Sequence, residues 1–543
     1  MMDGTSLLRQ PVADFSAAQS AWDTGARPDA ISSDTSSTAT SSFNRWWRIG
    51  DFGVFGLWVI VVGYTLGCHE KWADEAQAWL IARDLGLRTI WFHELRYEGS
   101  PGLWHTILWV AQHVFRASYG AVGYIGMAGA AAGVGLLIFK APFPRIIRWP
   151  LAFTYFLVYQ YAVIARSYTL LPLLTFAAAI FFKDVRRPER MTVVLVLLAN
   201  LSVHGTVLAG CLGLAYLIQA GRSWRALDGH VQKRYQICVA VMLFAFLFLF
   251  IILKPTPDIE VFASKAEISQ LSPDVRAQIF PSTLQKMAAV VSGAFLDYAA
   301  PSVLFVILAA AWCFMRGKFL AFALPVGGML ALYGFHGDLH HQGTTFVAAI
   351  AAIWIAWPTG AEQRAFAARE RWATFGMTAL LLMLCAVNIW DSVVVIQHDR
   401  VYAYSGGEDA ARYLKSVGAD HGPIFGFMYG MVAVQAYFDR NILANTPTAY
   451  FHHGVPFHGI DVELDELQRI RPDYLVFATR HPEVSSPQIV PQFAELGYEF
   501  VHFSDGYLLY KRTASDRETF FIFRRMRPAA GQTPSQLDPD KRE

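Results

Sequence analysis

The sequence predicts an α-helical polytopic membrane protein with a small soluble α/β domain at its C-terminal end. Of 543 residues, 54% are hydrophobic and only 16% charged, with 40 Phe, 22 Tyr and 16 Trp. A soluble domain carries about a quarter charged residues. Apolar windows near the length that crosses ~30 Å of hydrocarbon as a helix recur at 52–67, 121–139, 149–164, 167–182, 191–219, 232–253, 286–315, 318–334, 344–357 and 372–390. A further window, 101–117, is rich in Trp and His. Some long windows hold two short helices, so about 11–13 crossings are expected. Beyond about Ser392 the composition turns into that of a soluble protein.

Four segments follow from this pattern. Residues 1–45 are polar, with a Ser/Thr run from Ser32, and are expected to be disordered. Their first apolar run starts too late for a cleavable signal and reads as an uncleaved anchor. Residues 46–392 form the transmembrane domain, interrupted by a polar loop at 69–100 and a second at 254–283 marked by Pro255, Pro257, Pro273 and Pro281. Residues 393–527 form the α/β domain. In it Gly407–Lys415 reads as a helix and Tyr474–Ala478 as a buried strand. Residues 498–503 and 507–511, joined by Ser504-Asp-Gly, read as a hairpin. A loose tail, 528–543, ends the chain.

Charge sets the topology. Arg45 and Arg48 precede the first span and place the N-terminus in the cytoplasm, so the 69–100 loop lies outside. Lys140, Arg145 and Arg148 form one basic cluster and Lys183, Arg186, Arg187 and Arg190 another. Both read as cytoplasmic, with Arg166 outside between them. That needs an odd number of crossings between 101 and 139, where periodicity suggests two; the conflict stays open, and one cluster facing outward to bind an anion is the alternative. A net charge of +2 and the lack of a basic stripe exclude nucleic acid as a partner. The five cysteines are scattered through apolar spans and read as small buried hydrophobes, with no disulfide framework.

The candidate chemistry gathers in the first outer loop. Asp74 and Glu75 open an expected interfacial helix over 74–87, with Trp72, Trp79, Trp91 and Phe92 nearby as membrane anchors. A carboxylate in a first helical turn is held as an anion by exposed backbone N–H groups and the helix dipole. It can serve as a general base or bind a hard cation, or simply cap a surface helix. Glu98, in Glu98-Gly-Ser-Pro-Gly-Leu-Trp-His, is fixed near the membrane by its turn residues. Arg166 either snorkels or binds a phosphate. His204 reads as a core histidine or a ligand. His336, Asp338, His340 and His341 form a titratable cluster without a zinc pattern. His105, directly after the Glu98 turn, is more informative than His113.

At these residues the chain resembles the GT-C fold glycosyltransferases, and within them the bacterial relatives of glycosyltransferase family 39, the protein O-mannosyltransferases, and the lipid A aminoarabinose transferases. The resemblance rests on Asp74-Glu75, on Glu98 before Pro101-Gly-Leu where the family has an acid and Pro-Pro-Leu, on Ala165-Arg-Ser-Tyr where it has Ala-Arg-Pro-Tyr, and on His204-Gly near a common His-Tyr position. It implies an inverting transfer of a sugar from a polyprenyl-phosphate carrier to a hydroxyl of a lipid, glycan or protein acceptor, at the outer face of the cell's inner (plasma) membrane. It implies Asp74, Glu75 and Glu98 as catalytic residues, with Asp74 the base. Arg166, Tyr168, His105, His204, His336, His340 and His341 would bind the donor's phosphate or sugar. It leaves open a divalent cation, magnesium or manganese, on Asp74 and Glu98; the acid that some relatives carry near Arg166-Ser167 is absent here. The alternative function is a multi-pass transporter or flippase of a lipid-linked envelope precursor. Such proteins place ionisable groups near the midplane within inverted repeats, and no repeat is visible here.

Overall fold

The computed structural model describes residues 34–256, 282–335, 341–364, 367–452 and 466–526. Most of the 254–283 loop, His336, Asp338, His340 and the tail after 526 lie outside these residues, as does the chain before Asp34. Contacts divide the chain into two compact units, Met1–Phe52 and Gly53–Glu543. All the elements that build the site lie in the second.

The apolar windows form helices. The first, α1 (Asp34–Cys68), begins inside the segment expected to be a disordered tail. It is followed by α2 (Ala73–Asp84), α3 (Leu103–His113), α4 (Val122–Lys140), α5 (Arg145–Ala152), α6 (Leu171–Phe181), α7 (Pro188–Ala199), α8 (Val203–Arg222) and α9 (Gly229–Ile252). Then come α10 (Thr283–Ala294), α11 (Ala299–Met315), α12 (Phe319–Phe335), α13 (Gly343–Ala356) and α14 (Ala368–Val401). Among the described residues five helices are long and apolar enough to cross a bilayer, or six if the bent pair α10 and α11, at 79°, is one span. By length alone this is fewer than the expected 11–13, because several windows break. The window 191–219 splits at Asn200 into α7 and α8, and 149–164 is the short α5 followed by a π-turn and irregular chain. The chain is a multi-pass membrane protein. Every residue of α13 is buried: its run of Gly, Ala, Thr and Ile is apolar all round, as a helix enclosed by others must be.

The topology conflict resolves at 101–117. With 11 residues α3 is about 16 Å long, too short to cross. It lies beside α2 instead: the Gln112 amide donates to the Trp79 carbonyl at 3.1 Å, and Trp79 meets Tyr119, just before α4, at 5.8 Å between rings. Between 101 and 139 only α4 runs the length of the bundle, so Lys140 stands at the opposite end from the 69–100 loop. Residues 145–165 return to that loop, where the Ala165 amide reaches Glu75. Then a 3-10 turn and α6, continuous over Ser167–Phe181, lead back to Lys183, whose ammonium donates to the Trp357 carbonyl at 3.3 Å. Both basic clusters therefore occupy one end and Arg166 the other.

The last long helix, α14, continues past the expected boundary at 392 to Val401. The α/β domain follows with α15 (Gly407–Ser416), β1 (Ile424–Phe427), α16 (Met431–Gln435), β2 (Tyr474–Thr479), α17 (Pro482–Glu495), β3 (Tyr498–Ser504), β4 (Tyr507–Tyr510), β5 (Thr513–Arg517) and β6 (Thr519–Arg525). The sheet order is β1-β2-β6-β3, with β1 and β2 parallel and the other pairs antiparallel. The expected α15 and β2 form. The expected hairpin does not: β3 pairs with β6, and β4 pairs with β5 in a separate two-stranded sheet. The chain is pulled aside at Gly506, where a Cβ would sit 2.4 Å from the Ser405 backbone. The Tyr507 amide then bonds the Ala403 carbonyl at 2.9 Å. Meanwhile the buried Phe520–Phe523 run of β6 offers β3 an apolar partner. The β4–β5 hairpin docks on the helices. Lys511 reaches Asp297 at 2.6 Å and Asp391 at 3.2 Å, and Arg512 reaches Asp391 at 2.8 Å and also pairs with Asp297.

Candidate active site

Consecutive residues on a helix point about 100° apart, and that rotation separates the two acids of α2. Glu75 turns into the protein and is wholly buried. One of its oxygens accepts from the Ala165 amide at 2.7 Å. The other meets His69 Nε2 at 3.1 Å and the Trp72 amide at 3.3 Å. Asp74 turns to the open side, where its side chain is 21% exposed, and ion-pairs with Arg166 at 3.0 Å. Its second oxygen accepts from the Tyr429 hydroxyl at 3.0 Å. The Asp-Glu pair thus grips Ala165 and Arg166 residue for residue. The chain that supplies them, between the π-turn 156–160 and the 3-10 turn 167–170, is irregular. Such backbone is tolerated near a membrane only where protein encloses it or a polar cavity borders it.

The helix carrying this pair, expected from its tryptophans to be interfacial, is enclosed by protein on two sides. Ala73, Ala76, Trp79, Leu80 and Ile81 are buried, covered by α3 on one side and by α16 of the α/β domain on the other. Gln77 clips that domain on: its amide donates to the Phe451 carbonyl at 2.5 Å and its carbonyl accepts from the Phe451 amide at 3.0 Å.

Glu98 ends the short helix Leu95–Glu98, closed by Gly99 at φ +59°, a left-handed position that favours glycine. It accepts from the Gln77 amide at 2.8 Å, with His105 Nε2 at 3.9 Å. His105 is buried; burial lowers its pKa and the Glu98 charge opposes. Neither ring nitrogen has a hydrogen-bond partner. The departure from Pro-Pro-Leu is steric: a Cβ on Gly102 would sit 2.7 Å from the Trp91 ring, which is held by its own N–H bond to Thr106 at 3.0 Å.

A second group forms behind Arg166. The guanidinium lies 5.8 Å from the Tyr168 ring and 5.9 Å from that of Trp72. The Tyr168 hydroxyl meets His204 Nδ1 at 3.0 Å. His341 packs on His204 at 4.3 Å and on Tyr168 at 5.3 Å between ring centres. Of the residues named from sequence, Asp74, Arg166, Tyr168, His204 and His341 thus form one chain of contacts, and Glu98 and His105 join it through Gln77 on α2. His336 and His340 lie outside the described residues.

Three residues that sequence reasoning passed over complete the site. His69 is buried between Glu75 and Asp399, at 3.1 and 2.9 Å, and Asp399 also accepts from the Tyr159 hydroxyl at 2.9 Å. Burial alone would discharge the imidazole; the carboxylates of Asp399 and Glu75 overcome that and raise its pKa to about 10. Tyr429 reaches Asp74 from the α/β domain, just after Met428 at φ +75°. Glu518, wholly buried, accepts from the Ala73 amide at 3.2 Å and from the Ser405 hydroxyl, anchoring the domain to the first turn of α2. His69 stands in the Cys68-His-Glu-Lys stretch and could have been noticed. Nothing local marks Tyr429 or Glu518, hundreds of residues away.

Glu518 gives the site a pH dependence. Burial pushes its carboxyl up to about 8; the Ser405 and Ala73 hydrogen bonds oppose this and the Asp74 charge adds to it. Native Glu518 therefore keeps a proton that the unfolded chain releases near 4.5. Its contribution to stability falls as pH rises between those values. Glu518→Gln should flatten that slope, so the variant's melting temperature changes less than the parent's between about pH 5 and 8. A thermal scan across pH checks it; equal slopes would refute the assignment.

The cation that the resemblance leaves open on Asp74 and Glu98 would share both with groups already bound. Asp74 already faces a guanidinium and a phenol, Glu98 an amide, and no group of three His, Cys, Asp or Glu that could hold a metal gathers among the described residues.

The fold and site define a multi-pass helical membrane protein whose carboxylate–arginine cluster is roofed by its own C-terminal domain. No family model matches the chain, and no curated protein does. Two solved structures resemble it, crystal structures of ArnT from Cupriavidus metallidurans bound to undecaprenyl phosphate and in the apo state. Each is 13% identical with a TM-score of 0.44. The matches cover 86% and 89% of this chain and 97% and 98% of those.

Proposed function

We propose that the protein is an inverting glycosyltransferase that moves a sugar from a polyprenyl-phosphate carrier to an acceptor hydroxyl at the outer face of the inner membrane. The observation that carries the reading is the Asp74–Arg166 pair. It sets a partly exposed carboxylate beside a partly exposed guanidinium, at the bundle end opposite both basic clusters. By the positive-inside rule the basic end is cytoplasmic, so the pair faces outward. The order of Asp74-Glu75, Glu98, Ala165-Arg-Ser-Tyr and His204-Gly supports the same reading.

In this reading the donor phosphate draws Arg166 from Asp74 and frees the carboxylate. Asp74 takes the proton of the acceptor hydroxyl, whose oxygen attacks the anomeric carbon from the face opposite the phosphate. The carbon–oxygen bond to phosphate breaks, its electron pair leaves with the polyprenyl phosphate, and Arg166 meets the charge that develops there. Tyr168, His204 and His341 line the same side and hold the phosphate. Glu98, with His105 beside it, holds the sugar.

Glu75 takes a different role from the catalytic one the resemblance implies. With no exposure and both oxygens engaged it is a positioning residue, fixing Ala165 and hence Arg166.

Tyr429→Phe removes one charged hydrogen bond from Asp74, worth ~1.5–3 kcal/mol. It should lower kcat by about tenfold or more with donor KM little changed; a shift in KM alone would place Tyr429 on the donor instead. The reading as a whole is tested in proteoliposomes with a panel of polyprenyl-phosphate sugars. One sugar should be transferred, with polyprenyl phosphate released one for one. Passage of the lipid-linked sugar across the bilayer without a new covalent bond would favour the transporter.

A further inference from the structure

The bundle end opposite Asp74 has a feature the transfer reading does not use. Between the C-terminal turn of α8 and the α11–α12 turn lies a cavity of about 250 Å³. Its polar lining is Gln219, Arg222 and Lys318; its apolar lining includes Phe182, Phe314 and Phe319. Phe314 and Phe319 are exposed. With this end cytoplasmic by the positive-inside rule, the cavity would open to the headgroup level and these rings to the acyl region beside it.

Its charge is unbalanced. Arg316 is matched by Glu362 at 3.2 Å and Glu370 at 3.8 Å. Lys183, Arg222 and Lys318 make no ion pair with a carboxylate among the described residues. Lys318 is held by the Gln219 carbonyl at 2.6 Å, so it is fixed rather than free to leave. Burial lowers its pKa, Lys183 and Arg222 push it the same way, and only Glu362 opposes. Lys318 is half-buried, with Lys183 and Arg222 exposed, and cations crowded together with no carboxylate in direct contact are stabilised by an anion from outside. A basic pocket between helices on the cytoplasmic side suits a lipid headgroup.

We infer that this cavity binds the phosphate of an anionic phospholipid, with Arg222 and Lys318 on the phosphate and the acyl chains along Phe314 and Phe319. The site is independent of the transfer chemistry. Native mass spectrometry of the full chain, released from micelles holding equal phosphatidylglycerol and phosphatidylcholine, tests it. Retained phosphatidylglycerol should exceed phosphatidylcholine. At ~1 kcal/mol per cation the double variant Arg222→Gln with Lys318→Gln should lose about 30-fold of that excess, and Arg222→Lys with Lys318→Arg should keep it. Should the double variant not fold, Arg222→Gln alone, at an exposed position, should lose about fivefold. Equal retention of the two lipids would overturn the site. So would a preference that survives the Gln variants, or displacement of the lipid by an equal concentration of inorganic phosphate.

Discussion

Asp74→Asn is expected to cut the transfer rate by about 100- to 10,000-fold, the share that a positioned general base contributes, while the protein still folds and inserts. The amide keeps the shape and can still accept from Tyr429, but it cannot take a proton. The lost ion pair with Arg166 is partly exposed, and such pairs contribute little to stability. Glu75→Gln should behave in the opposite way. Its carboxylate is wholly buried against Ala165 and His69, so the loss falls first on stability and, through the placement of Ala165 and Arg166, secondarily on rate. Side-by-side kcat values and melting temperatures of the two variants check this. An Asp74→Asn protein with parental kcat would remove Asp74 from the chemistry.

The largest effect on stability belongs to His69→Gln. The imidazolium sits between two buried carboxylates, Glu75 and Asp399, and removing it leaves both without a cation. Breaking a buried pair in this way costs about 3–5 kcal/mol. Because the folded pKa is raised to about 10, the contribution is complete below about 6.5, the unfolded value. It fades as pH rises through the folded one. The parent should therefore keep losing stability above about pH 8, where the Glu518 contribution has ended, and His69→Gln should lose less there. Adding Glu75→Gln to His69→Gln should recover part of the deficit, since one uncompensated charge is gone. Unfolding curves of the single and double variants measure it; additive losses would show that the two residues are not coupled.

Much of this arrangement is legible in the amino-acid sequence. The apolar windows locate the helices, and Asp74, Glu98 and Arg166 are conspicuous because charged groups at a membrane boundary are costly. Crossing number is not legible in the same way: hydropathy alone does not separate 101–117, a helix packed beside α2, from a true span. The roles of Asp74 and Glu75 are not separable by sequence either, since one residue of rotation decides which enters the core. The hairpin failed for a related reason. Ser504-Asp-Gly is a turn signal, but Gly506 is needed for its close approach to Ser405, and β6 offers β3 a better partner than β4. Tyr429 and Glu518 are invisible because only the docking of the α/β domain on α2 brings them to Asp74.

The most direct test is the stereochemistry of the product. A single displacement by an alcohol deprotonated at Asp74 must invert the anomeric carbon. Proton NMR of the glycoside formed from one polyprenyl-phosphate sugar of defined configuration should show the opposite anomer, formed in step with free polyprenyl phosphate and absent with Asp74→Asn. A product of retained configuration, or inverted product still formed at full rate by Asp74→Asn, would contradict the assignment of that carboxylate as the base.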